Sequence, residues 1–186
     1  KSVEYYNKAL VDNQDAVTAR LSMAKIYSDI RNQENGHYNL SFAMKQLQLL
    51  DTLNNKDIDR NYDRIQMAIS RIYADKNYEG CNYGLALSTL AKIQDDEKGF
   101  IDLQKGNIYA IEDSPYYDMK KAVACYTSAA QKNNTNAMVK LAKCYLYGLG
   151  VDRDKEAAKL WLQEADRQGD EYAREYLKNI DRTSYN

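Results

Sequence analysis

Residues 137–169 read AMVKLAKCYLYGLGVDRDKEAAKLWLQEADRQG, two apolar stripes at helical spacing with a glycine turn between them. Ala137, Leu141, Ala142 and Tyr145 share one helix face, and Ala158, Trp161, Leu162 and Ala165 share another. Gly148-Leu149-Gly150-Val151 reverses the chain between the stripes. Asp154 stands four residues before Ala158, where a short side-chain oxygen can accept the free N–H groups of the second helix's first turn.

The same pattern returns 36 residues earlier. Ala142, Tyr145, Asp154, Ala158 and Ala165 fall on Gly106, Tyr109, Asp118, Ala122 and Ala129; Leu141 falls on Lys105, the poorest match. A further 36 residues back are Ser70, Tyr73, Asn82, Ala86 and Ile93. A fourth unit, at a longer offset, contains Ala24, Tyr27, Asn39, Ala43 and Leu47. Its extra length is expected in two connections, after Tyr27 and between Leu50 and Ile65, where a packed repeat tolerates insertions. Small residues at Ala24, Gly106 and Ala142 let helices approach, and the tyrosine three residues on fills the space beside them. The reading is one helical-repeat domain over 1–186: a partial unit at 1–14, repeats at about 15–56, 57–98, 99–134 and 135–169, and a terminal helix at about 170–182. The polar residues around Ala173 and Leu177 make that last helix a cap. The chain begins inside a second helix, and its first residue is Lys1, so a preceding segment is expected.

Residues 137–169 resemble a Sel-one-like repeat of the tetratricopeptide superfamily, through Leu141-Ala142, Tyr145, Gly148-Leu149-Gly150-Val151, Asp154, Ala158, Trp161, Ala165 and Gly169. The earlier units depart from it. Glu112-Asp113-Ser114-Pro115 and Lys76-Asn77-Tyr78-Glu79 replace the glycine turn, and Asn133 stands opposite Gly169. The resemblance implies an all-α, right-handed superhelix of antiparallel helix pairs. It also implies a non-catalytic scaffold that binds a protein or peptide on its concave surface. The alternative is a helical regulatory or accessory region of a larger enzyme or assembly whose active part lies outside this chain. A third reading, from helical repeats that read RNA one base per unit, meets a balanced charge.

Lys and Arg total 26 and Asp and Glu 27, a net charge of −1, so the global field of a nucleic-acid-wrapping protein is absent. No run of 18 apolar residues encodes a membrane span. Cys81, Cys125 and Cys144 lack metal or redox spacing, read as small buried hydrophobes, and lean towards a reducing, cytoplasmic compartment. A signal or lipid anchor upstream of Lys1 stays open. His37 is a single, exposed histidine. Asp152-x-Asp154-x-Glu156 begins like a calcium loop but lacks its glycine and distal Glu, and capping explains Asp154 better. No nucleophile elbow, phosphate loop or dinucleotide fingerprint occurs, so no enzyme activity and no cofactor are expected.

In tetratricopeptide relatives the first helix of each pair lines the concave side. One residue after the small position are Lys25, Arg71, Asn107 and Lys143, three of them basic, with Arg64 two turns before Arg71. Such a row would attract an acidic peptide or a C-terminal carboxylate by charge-assisted hydrogen bonds, against the plainer reading of a solvated face. Among 17 tyrosines, Tyr147, beside the Gly148 turn, is the leading candidate for a surface contact.

Overall fold

A computed structural model describes residues 4, 7–8, 16–34, 38–51, 56–94 and 98–182. The chain falls into two compact units, 1–94 and 95–186. The first holds α1 (Ala16–Tyr27), a 3-10 turn at Ile30–Asn32, α2 (Leu40–Asp51), α3 (Lys56–Tyr73) and α4 (Tyr83–Leu90). The second holds α5 (Phe100–Tyr109), α6 (Met119–Gln131), α7 (Thr135–Tyr147), α8 (Lys155–Arg167) and α9 (Glu171–Arg182). No strand occurs among the described residues. Each unit is a run of consecutive helix pairs, the α-solenoid of helical repeats. Of the expected partial unit at 1–14, only residues 4, 7 and 8 are described, and they are helical. His37 and Asp95-Asp96-Glu97 lie outside the described residues.

One capping device closes every helix pair. The side chains of Asn39, Asn82, Asp118 and Asp154 accept from the N–H groups of Phe42, Leu85, Lys121 and Ala157 at 2.8, 2.9, 3.0 and 2.9 Å. Each of the four also donates its own N–H to the carbonyl of the preceding repeat tyrosine: Tyr27, Tyr73, Tyr109 or Tyr145, at 2.8–2.9 Å. The cap therefore ties the second helix to the last turn of the first, which fixes where the hairpin closes whatever loop lies between. The loops do differ. After Tyr145, Gly148 and Gly150 turn the chain at φ 68 and 71. After Tyr73 and Tyr109, two successive turns do the same work without a left-handed glycine, through Tyr78 N–H to Asp75 O and Cys81 N–H to Tyr78 O, then Ser114 to Ile111 and Tyr117 to Ser114. In the first pair the longer loop is pinned by Asn32, whose side chain donates to the Ile26 carbonyl at 2.8 Å.

The joins between repeats follow a second rule. Asn133 takes the left-handed φ of 61 that Gly169 takes at 90. Asn133 N–H donates to Ala130 O and Asn134 N–H to Ala129 O; Gly169 N–H donates to Asp166 O and Asp170 N–H to Ala165 O. Both are complete Schellman endings. Asn134 and Asp170 then cap the next helix through Ala137 N–H and Ala173 N–H. Asparagine is the residue other than glycine that tolerates this backbone best, so the missing glycine at 133 is a substitution within one geometry. Asn133→Gly is expected to keep or raise stability, and Asn133→Ala to cost about 1 kcal/mol. Urea midpoints of the two variants check this; equal midpoints would show that the left-handed turn is not under strain.

The core follows the small-to-large pattern, with one exchange. Ala43, Ala86, Ala122 and Ala158 are all fully buried, one per second helix. Leu47, Leu90 and Leu162 are buried four residues later, and Tyr126 takes that place in α6. Its opposite number is Gly106, where a Cβ would lie 2.6 Å from the Tyr126 ring. A larger residue on one helix is admitted by a bare backbone on its neighbour. Ser70, at the equivalent position in α3, is buried and donates to the Ala86 carbonyl at 2.9 Å. Tyr27, Tyr73, Tyr109 and Tyr145 are all half-buried, the first two against the core of the first unit and the last two against that of the second. One expectation needs correcting. The extra residues before Ile65 do not stay in a connection: α3 runs for 18 residues, against 10 in α5 and 13 in α7.

Candidate interaction face

The candidate residues divide between the units. In the first unit, Lys25 at the end of α1 and Arg71 at the end of α3 line one groove of about 350 Å³, with Asp29, Arg31, Leu40 and Asp75. Arg31 donates to both carboxylate oxygens of Asp29 and thereby holds its pKa down at about 2. Asp75 accepts from the backbone and side-chain nitrogens of Asn77. Among the described residues Arg71 stands in no such pair, and desolvation lowers its pKa. Arg64 is exposed and donates to the Asn61 side chain at 3.0 Å, and it does not line the groove.

In the second unit, α7 presents Asn136, Lys140, Lys143 and Tyr147 at steps of four, three and four, a single helix face. Lys143 and Tyr147 reach residues that the sequence reading did not single out for the site. Lys143 Nζ donates to the Tyr172 hydroxyl at 3.0 Å and lies 5.0 and 5.4 Å from the ring centres of Tyr172 and Tyr176. The Tyr147 and Tyr176 hydroxyls are 2.9 Å apart. That bond, with burial and the charge Tyr147 would carry, pushes the Tyr176 phenol up to about 12. Lys140 Nζ lies 5.9 Å from the Tyr126 ring centre, and Tyr126 OH donates to the Asn107 side chain at 3.2 Å. Asn107 is thus the bridge by which α5 joins this face through α6. The signal for Lys140 was its place one helical step before Lys143. The signal for Tyr172 and Tyr176 was their place one repeat after Asn136 and Lys140.

Four cations elsewhere in the unit pair with acids: Lys121 with Asp118, Lys132 with Asp102, Arg167 with Glu164 and Arg174 with Asp166, whereas Lys140 and Lys143 lie against tyrosine rings. Glu164 shows what such pairing does, its pKa falling from 4.5 to about 2 under the hydrogen bonds of Arg167 and then Gln168. Asp118 is lowered by the Lys121 backbone N–H. Groups with a depressed folded pKa stabilise fully above their unfolded value and lose that contribution as pH falls through the folded one. Stability is therefore expected to decline between pH 4.5 and about 2, and Glu164→Gln to make that decline shallower. Urea midpoints across the window check this; an unchanged slope would show that the pair does not stabilise the fold.

Residues 112–134 and 135–170 match the Sel1 repeat family. Both matches lie within the second unit. Solved structures agree on the fold. The Sel1 repeat protein from Oxalobacter formigenes is 24% identical, with a TM-score of 0.54 over 73% of this chain and 98% of that one. The c5321 protein, a protective antigen present in uropathogenic Escherichia coli strains and displaying an SLR fold, is 18% identical, with a TM-score of 0.60 over 96% of this chain. This chain spans 36% of the c5321 chain. No curated protein matches the sequence. Sel1 repeats generally mediate protein–protein interaction and are typically non-catalytic scaffolds. Among the described residues no helix is long and apolar enough to cross a membrane.

Proposed function

We propose that this protein is a non-catalytic scaffold that holds a protein partner against the first-helix faces of its repeats, the side that a Sel1-repeat superhelix would make concave. The supporting observation is the Lys143–Tyr172–Tyr176–Tyr147 cluster. Here Tyr147 and Tyr172 stay 62% and 51% exposed although the core beneath is closed. Large aromatic side chains kept at the surface beside cations are the usual makings of an interface anchor. Lys25, Arg64 and Arg71 in the first unit and Asn107, Lys143 and Tyr147 in the second form the contact set of this reading, with an acidic partner segment as the complement.

The test uses the full chain with a photo-cross-linking residue at Asn136, on the first-helix face, or at Leu160, which is 66% exposed on the second helix of the same repeat. Cross-links to a partner from the source cells are expected at position 136 and not at 160. The captured partner should then lose affinity for a Lys25→Glu, Arg71→Glu, Lys143→Glu variant that melts like the parent. Equal cross-linking at both positions, or unchanged affinity of the triple variant, would remove the first-helix faces as the binding surface. The same surface would serve if the chain is the accessory region of a larger assembly.

A further inference from the structure

We infer that the α7 face of the second unit binds an acidic segment of a partner protein, taking its carboxylates at Lys140 and Lys143 and an apolar side chain of the same segment against Tyr172 and Tyr147. This rests on the scaffold reading and gives it a ligand chemistry. Lys140 and Lys143 are one helical step apart, and among the described residues neither is in an ion pair. They are held instead by aromatic rings: Lys140 over Tyr126, and Lys143 over Tyr172 and Tyr176 with its hydrogen bond to the Tyr172 hydroxyl.

The distinction matters physically. A carboxylate partner would neutralise an ammonium group, and a ligand would have to displace it. A ring face positions the ammonium group but leaves its full charge available. Lys140 carries the cost of this arrangement, since burial and then the charge of Lys143 both lower its pKa. An arriving carboxylate would relieve that repulsion without breaking an existing pair. The support beneath is fixed. Tyr126 is seated on the bare backbone of Gly106 and anchored to Asn107, so the Lys140 platform is part of the core. The Tyr147–Tyr176 hydroxyl pair likewise joins α7 to α9 before any ligand arrives. The apolar part of the partner has exposed surface to cover at Tyr147 and Tyr172.

The probe is the acetylated, amidated hexapeptide Glu-Glu-Phe-Glu-Glu-Phe, titrated against the full chain by fluorescence anisotropy and by amide shifts in NMR spectra. Comparison arms are its glutamine counterpart, the same acidic peptide with a free C-terminus, and a uridine decamer. The acidic peptide is expected to bind with shifts on α7 and α9. Binding should be about tenfold weaker for the glutamine peptide and for Lys140→Gln/Lys143→Gln, and near the parent value for Lys143→Arg. Equal binding of the glutamine peptide, shifts confined to other elements, or full affinity in the double variant would overturn the inference. Binding only by the free-C-terminus peptide would assign the site to a chain end and overturn it too. Tighter binding by the uridine decamer would make this a nucleic-acid face and do the same. A partner cross-linked at Asn136 whose footprint holds no acidic residue would leave the scaffold standing and sink the acidic ligand alone.

Discussion

Replacing Gly150 with Ala lowers the melting temperature by about 6–12 °C, equivalent to about 3 kcal/mol. Two separate costs combine in that figure. Gly150 sits at φ 71, where an L side chain costs about 1–2 kcal/mol. A Cβ there would also lie 2.4 Å from the carbonyl carbon and oxygen of Met119, at the start of the preceding repeat's second helix. Those are backbone atoms and cannot rotate aside, so the turn or α6 must shift. Gly148 separates the two costs. Its φ is 68, yet the nearest atom to an added Cβ is 3.7 Å away. Gly148→Ala should lose only about 1–2 kcal/mol. Differential scanning calorimetry on both variants measures the difference. Equal losses would mean that the Gly150 turn does not press on its neighbour.

Ala158→Trp is the other severe change, with an expected loss of about 3 kcal/mol or more. Ala158 is fully buried and its N–H is bonded to the Asp154 carbonyl. The first turn of α8 cannot back away from an indole without losing the cap that ties it to Tyr145. Ala122→Trp faces the same obstacle in α6, with Asp118 as its cap. Guanidinium denaturation of both variants is the measurement. Midpoints matching the parent would show that these alanines do not mark equivalent helix contacts, and the repeat alignment would fail with them.

What the amino-acid order revealed depended on how local each rule was. The cap positions could be read because one residue type at one place sets one hydrogen bond, and Asn39, Asn82, Asp118 and Asp154 each form it. The ending at Asn133 looked like a departure because identity was compared where backbone conformation was the shared property. The length of α3 was hidden because extra residues in a join can be wound or unwound at little cost in spacing. The interaction face was visible only in part. Lys143 and Tyr147 announced themselves by register, but Tyr172 and Tyr176 meet them across 29 residues. Lys140 needed Tyr126 as a platform, and Tyr126 could enter only because Gly106 is bare. Chains of contact such as that one leave no single motif.

Asn134 and Asp170 each both finish one Schellman turn and start the next helix. The 36 residues from 134 to 169 therefore leave the chain in the geometry in which they received it. Such a segment is a self-splicing tile: a second copy inserted in tandem would meet both neighbours through junctions the molecule already uses, with no new linker to invent. Lengthening by gene duplication would then be a change in count rather than in design, and each added tile would bring its own Lys-Lys-Tyr stripe.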